Sequence, residues 1–349
     1  MKTQTKRILL SSLLAVPALV QAGELEQQML RCAVIGDASA RLGCFDLLSK
    51  TAAAITVATG ASVSESAAEV GLSVPPIASA KAAPPETPIS RMAQRWELDD
   101  AAKRGVFAFR PHRDNYLLLA NYSTASNDEP FQAFTPGGVK VQHTELTYQL
   151  SFKMKMLERL AGTPVDIWFG YTQQSFWQAY NRAASSPFRE TNYQPEMMAT
   201  LPLDKSFGGV DFRYLNVGLV HQSNGQTSTL SRSWNRIYAE LGVERGNFGL
   251  SARLWKRLDN ARSDNDNVDI TDYLGHGDLH ASYRNDGHEL SLTARRNFKS
   301  RHGSLQAGWA FPLRSNLKGY MQLFSGYGQS LIDYNYSQKS LGAGFLVDF

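Results

Sequence analysis

The sequence predicts an all-β fold: a twelve-stranded antiparallel transmembrane β-barrel, preceded by a small helical hairpin and a disordered linker. Three observations carry this expectation. From about Arg91 onward the chain falls into some twelve segments of alternating apolar and polar residues, joined by Gly, Asn, Asp and Ser clusters with no helical segment between them. Aromatic residues crowd the ends of these segments, as the interfacial girdle of a membrane barrel requires. The polar faces carry Lys, Arg and Glu, which the core of a soluble barrel would not bury unpaired.

The chain opens MKTQTKRILLSSLLAVPALVQA, with Lys2, Lys6 and Arg7 before an apolar run from Ile8 to Val20 and small residues up to Ala22. This is the pattern of a secretory signal peptide over residues 1–22, and the run is short for a membrane anchor and interrupted by Pro17. Removing it takes away three cations and no anion, so the formal charge of +4 becomes +1. Nothing in that balance points to a nucleic-acid partner. No run of 18 apolar residues follows, which excludes helical spans. It leaves barrels open, because only every second strand residue faces lipid.

Residues 23–50 hold both cysteines, Cys32 and Cys44, in segments of helical spacing on either side of Gly36-Asp37. Along one unbroken helix twelve residues span about 18 Å, whereas a disulfide needs Cα atoms roughly 4.4–6.8 Å apart. A turn at Gly36 permits the Cys32–Cys44 bridge, which an exported, oxidising setting favours. Residues 51–93, rich in Ala, Ser, Val and Pro, read as a linker, and 94–349 as the barrel domain.

Within the barrel the segment 145–156, ELTYQLSFKMKM, sets Leu146, Tyr148, Leu150, Phe152, Met154 and Met156 against six polar residues of the other parity. A strand puts alternate side chains on opposite faces, so this one has an oily side and a charged side. The same pattern recurs around 165–169, 215–219, 237–243, 248–254, 290–294, 305–313 and 341–349.

Parity also sorts the polar residues of HQSNGQTSTLSRSWNRIYAEL, 221–241. Leu215, Val217 and Leu219 are odd and apolar, and His221 and Ser223 continue that series. In the next strand Ile237, Ala239 and Leu241 are odd, and Asn235 continues them backwards. All three are therefore expected on the lipid side, and a hairpin centred near Ser228 sets Asn235 opposite His221. A hydroxyl, an imidazole and an amide so arranged supply the nucleophile, base and orienting group of covalent catalysis. The bland reading is that polar residues at a strand end mark the membrane–water boundary.

At these residues the sequence resembles the bacterial outer-membrane phospholipase A family, through YTQQSFWQ (171–178), SSPFRETNYQP (185–195), HQSNG (221–225), SRSWNRIY (231–238) and SGYGQSLIDYN (325–335). The resemblance implies Ser223 as nucleophile, His221 as general base and then acid, and Asn235 as the neutral group that fixes the ring. It also implies Ca2+ as cofactor, with the Ser231 side chain, the Gln226 carbonyl and Ser185 of a second subunit as ligands and an amide near Gly225 as oxyanion donor. Arginine is frequent in the family where this chain has Gln226; a carbonyl ligand survives that change. So few neutral ligands predict weak affinity and several bound waters.

Gln173 continues the oily series Val165, Ile167, Phe169 and Tyr171, and a glutamine on that face reads as glue between subunits of a homodimer. The acidic stretch 263–275 lacks the glycine and glutamate of a calcium loop and reads as a hydrated loop. The expected function is a calcium-dependent, dimer-activated phospholipase of the outer membrane, its site facing the outer leaflet and hydrolysing acyl esters of glycerophospholipids. A passive outer-membrane channel or a structural barrel is the alternative.

Overall fold

The computed structural model describes Asp37, Cys44 and residues 90–132, 140–258, 266–314 and 316–347. Its contacts divide the chain into residues 1–82 and 83–349, and the continuous described stretches belong to the second unit. The leader, the helical hairpin apart from Asp37 and Cys44, and most of the linker lie outside the described residues. Of the hairpin, Cys44 is disulfide-bonded; Cys32, its expected partner, is outside the described set.

Alternation in the sequence becomes thirteen strands among the described residues. A short β1, Phe109–Pro111, pairs only with β3. The other twelve are β2 (Asn115–Ser123), β3 (Thr144–Leu157), β4 (Asp166–Trp177), β5 (Phe188–Phe207), β6 (Val210–Ser223) and β7 (Ser233–Arg245), then β8 (Phe248–Arg257), β9 (Gly277–Asn285), β10 (His288–Arg296), β11 (Gly303–Arg314), β12 (Leu317–Tyr327) and β13 (Ser337–Val347). Each pairs antiparallel with its neighbour in sequence, and β13 returns to β2, so an up-and-down barrel closes and no edge is left unpaired.

The two ends differ. Two-residue turns at Gly208-Gly209, Gly246-Asn247 and Asp286-Gly287 close one end. Both residues of the first and last of these have positive φ, the type I′ geometry that matches strand twist. Longer connections, among them 178–187, 224–232 and 328–336, close the other end. Short turns face the periplasm in outer-membrane barrels and long loops face outward, so β6, the fifth barrel strand, runs outward to Ser223.

Burial confirms the parity. In β3, Glu145, Thr147, Ser151, Lys153 and Lys155 are buried in the interior while Leu150 is exposed on the outer face; past the register shift after Lys155 the parity changes and Leu157 is exposed. On that face Phe152 meets Phe109, Phe169 and Tyr171 toward the short-turn end, and Phe188 meets Tyr148 and Trp177 toward the long-loop end. These two groups mark two levels of an aromatic girdle.

Several interior charges are paired, while Lys153 rests over the Trp96 ring. Glu97 accepts from Arg110 at 2.6 Å and meets Lys155 at 3.1 Å, and Lys155 also meets Asp166 at 2.7 Å. Arg189 bridges Glu145 and Asp333, each at 2.8 Å. Two inward glycines admit tyrosines: a Cβ on Gly218 would fall 2.5 Å from the Tyr238 ring, and one on Gly242 would fall 2.1 Å from the Tyr214 ring.

Helix α1, Arg91–Trp96, begins inside the stretch expected as linker. Its N-cap Ser90 accepts from the Ala93 amide and donates to Glu244 of β7, and Trp96 joins an interior cluster with Trp168 and Tyr214. Residues 266–276 also depart from the expected hydrated loop. Helix α2, Ile270–Leu274, buries Ile270 and Leu274 in that same cluster, because its apolar residues cover Trp234 and Trp255 at the long-loop end.

Candidate active site

Strands β6 and β7 place the polar trio. Their register sets His221 opposite Asn235 and Ser223 opposite Ser233. His221 is exposed on the outer face, in line with Leu219 and Val217, which are 55% and 47% accessible, and Ile237 on β7 is 40% accessible. The imidazole Nδ1 lies 2.8 Å from the Asn235 amide oxygen. Ser223 ends β6, half-buried, and pairs in register with Tyr193 of β5 on its other side. Among the described residues no hydrogen bond joins the Ser223 hydroxyl to His221; the two residues are one strand repeat apart, about 6.7 Å, a gap that a side-chain rotation of each narrows.

The interior side of the same strands is a separate network. The Gln222 amide oxygen accepts from Trp234 Nε1 at 2.9 Å and from Arg236 Nη2 at 3.0 Å. This clasp crosses the β6–β7 pair directly behind the His221–Asn235 pair.

The loop 224–232 carries three further expected residues, Gly225, Gln226 and Ser231. It is organised by Asn224, which is 3% exposed. Asn224 Oδ1 accepts from the amides of Gln226 at 3.3 Å and Arg232 at 3.0 Å, and its Nδ2 donates to the Leu230 carbonyl at 2.8 Å and to Glu190 Oε2 at 3.3 Å. Gly225 has φ of +66° and a built Cβ would approach the Tyr193 ring at 3.2 Å, which explains glycine there. Sequence reasoning did not assign Asn224 or Glu190; the sequence signal is that Asn224 sits inside the HQSNG motif and Glu190 inside SSPFRETNYQP.

Gln226 and Ser231 are thus held on one loop, whereas Ser185 lies on another, 178–187, with φ of 58°. Among the described residues no cluster of three or more His, Cys, Asp or Glu could hold a metal ion.

Gln173 faces outward as expected but is already partnered within the chain. It accepts from the Tyr171 hydroxyl at 3.1 Å and donates to Ser175 Oγ at 3.3 Å. The cost of a lone amide against hydrocarbon, from which a second subunit was expected, is therefore reduced without one. A surface recess of about 430 Å³ runs from Gln173 past Tyr193 to Gly225 and Gln226.

A closed twelve-stranded barrel with an oily belt, and with a polar imidazole–amide pair on its lipid side, defines the class of outer-membrane barrel proteins. Residues 92–347 match the family model described as phospholipase A1, and the chain belongs to that family of outer-membrane phospholipases, which are carboxylic ester hydrolases. A Neisseria meningitidis serogroup B relative that carries the phospholipase A1 name is 37% identical, over 100% of this chain and 97% of its own. Outer membrane phospholipase A from Escherichia coli superposes with a TM-score of 0.67 at 33% identity, covering 74% of this chain and 96% of that one. The Salmonella typhi outer membrane phospholipase, solved as a dimer with bound calcium, gives 0.67 at 32%, covering 74% and 97%. The channel and structural-barrel alternatives give way to an enzyme.

Proposed function

We propose that this outer-membrane phospholipase cleaves glycerophospholipid acyl esters through an acyl-serine intermediate, with Ser223, His221 and Asn235 as its triad. The observation that carries the reading is the 2.8 Å contact between His221 Nδ1 and Asn235 Oδ1 on the lipid-facing side. An amide oxygen can only accept, so Nδ1 bears the proton and Nε2 is left as the base. Ser223 Oγ attacks the acyl carbonyl as Nε2 takes its proton, and the same nitrogen returns it to the departing glycerol oxygen. Water then repeats the sequence on the acyl-serine, releasing fatty acid and restoring the hydroxyl.

Asparagine orients the ring but brings no negative charge, so the tetrahedral oxyanion needs help from the Gly225 region amide and from a cation. The donors fit calcium in kind: the Ser231 hydroxyl and the Gln226 carbonyl are hard oxygens on a loop fixed by Asn224. Together with Ser185 from a second copy of the chain they would hold Ca2+. When bound, calcium would supply positive charge beside the developing oxyanion. A ligand drawn from a second copy makes dimerisation part of activation, with Gln173 at the contact, and the long-loop position of Ser223 sets the site at the outer leaflet.

The test is calcium-dependent fatty-acid release from mixed micelles by wild type and Ser223→Ala, both checked for barrel folding by heat-modifiable gel migration. Wild type releases fatty acid and the variant falls by roughly 10⁴-fold or more. Equal release from both discards the triad.

A further inference from the structure

We propose that Glu190 and Asn224 form a positioning relay that sets the 224–232 loop, and with it the Gly225 amide and Gln226 carbonyl, from inside the barrel. The relay rests on the hydrolase reading above and adds residues to it. Neither touches the reacting atoms. Asn224 spends both amide hydrogens and two acceptances of its oxygen on four partners, three of them backbone groups of the loop. Its own amide donates to the Arg232 carbonyl at 3.0 Å, so the loop is pinned at both ends by one residue.

The fourth partner leads away from the loop. Glu190 is 2% exposed and acts only as an acceptor: Oε2 takes Asn224 Nδ2, while Oε1 takes Asn192 Nδ2 at 2.6 Å and the Ile332 amide at 3.1 Å. Asn192 in turn accepts from the Leu331 amide at 2.9 Å. The loop 224–232 is thereby fixed to the loop 328–336 across a buried carboxylate, and Arg189 beside it anchors the same loop through Asp333. Because Gly225 and Gln226 immediately follow Asn224, a change in its side-chain bonds re-aims their backbone groups. Buried networks of this kind hold one geometry because every alternative leaves a polar group unpaired.

The acceptor-only role of Glu190 makes the relay separable from packing. Glu190→Gln keeps the volume, yet in either amide orientation it turns a donor toward a donor. Asn224→Asp keeps the shape but faces two acceptors, Glu190 Oε2 and the Leu230 carbonyl. In Glu190→Gln combined with Asn224→Asp the donor and acceptor exchange places, which restores the link between the two side chains.

The experiment measures three things on full-length protein in detergent micelles: heat-modifiable migration for the fold, calcium binding by titration calorimetry, and the rate at which a sulfonyl fluoride labels Ser223 in saturating calcium. Asn224→Ala and Asn224→Asp are expected to remain barrels, to bind calcium at least tenfold more weakly, and to label at least tenfold more slowly. The double variant is expected to recover a severalfold part of the loss of Asn224→Asp. Should the truncation fail to fold, Glu190→Gln carries the same readouts.

Single variants that match an active wild type in both calcium binding and labelling overturn the relay alone, as does a double variant no better than Asn224→Asp. A wild type that neither releases fatty acid nor labels at Ser223 overturns the hydrolase reading and the relay with it.

Discussion

The imidazole of His221 and the side-chain amide of Asn235 meet at 2.8 Å across a directly opposed pair of β6 and β7. In the proposed mechanism that contact fixes the ring from its far side and leaves Nε2 to take the Ser223 proton. Asn235→Ala is expected to lower kcat by roughly 10- to 100-fold with little change in KM, because the ring loses its orienting acceptor and keeps its position on the strand. Asn235→Asp keeps the acceptor and is expected to retain more activity than alanine. Steady-state kinetics on a short-chain phospholipid, with calcium in excess, checks the order; alanine matching wild type would remove Asn235 from the site.

Gly218 and Gly242 are expected to be the least replaceable inward positions of β6 and β7. Each stands opposite a tyrosine, Tyr238 or Tyr214, whose ring occupies the space a methyl would need. The two rings donate hydroxyls to Glu196 at 2.6 Å and Glu240 at 2.7 Å, so they cannot swing away freely. Gly218→Ala should destabilise the barrel by about 1–3 kcal/mol, the usual penalty of overpacking. The urea midpoint of unfolding reads this, and a midpoint equal to wild type would show that the ring yields.

Much of this arrangement was legible in the sequence, for a physical reason. A strand has a side-chain period of two, so the outward set of β6 follows from Leu215, Val217 and Leu219 without any knowledge of the third dimension, and His221 and Ser223 follow with it. The hairpin register followed from symmetry about Ser228. What parity could not give is anything decided by loops. Asn224 is buried because the chain turns inward after Ser223, and Glu190 meets it from a strand 34 residues earlier. The apolar residues of α2 carry no strand alternation, so their packing over Trp234 and Trp255 was invisible. Gln173 was placed on the correct face, but its partners Tyr171 and Ser175 lie two residues away on that same face, and only side-chain conformation reveals them.

His112 gives the fold a dependence on pH. It lies between β1 and β2, outside the spanning strands, with Nε2 at 2.7 Å from Glu196. Burial pushes its pKa down to about 4 in spite of the pull of the Glu196 carboxylate. The folded protein therefore holds the ring neutral at pH values where the unfolded chain, near 6.5, takes up a proton. The stability from His112 is complete above about 6.5 and is lost as pH falls toward about 4. Urea midpoints of wild type and His112→Gln, measured between pH 7.5 and 4, check this. Wild type should lose more stability over the range, and parallel curves would count against a buried neutral ring.

Calcium should act at the oxyanion and not at the fold. The expected donors, Ser231, Gln226 and Ser185, are neutral, and the loop that carries two of them is already fixed by Asn224 without an ion. Removing calcium with a chelator should therefore abolish fatty-acid release while leaving the urea midpoint nearly unchanged. With no carboxylate among the donors, half-saturation should fall on the order of 10⁻⁴–10⁻³ M, the range of weak oxygen sites. Magnesium, which demands near-ideal octahedral geometry and gives up its waters reluctantly, should substitute poorly. Fatty-acid release titrated with calcium and with magnesium reads both expectations. Full activity in chelator would mean that the backbone amides alone stabilise the oxyanion, and would make the asparagine of the triad harder to understand, since nothing would then make up for the transition-state stabilisation that a carboxylate gives the imidazolium.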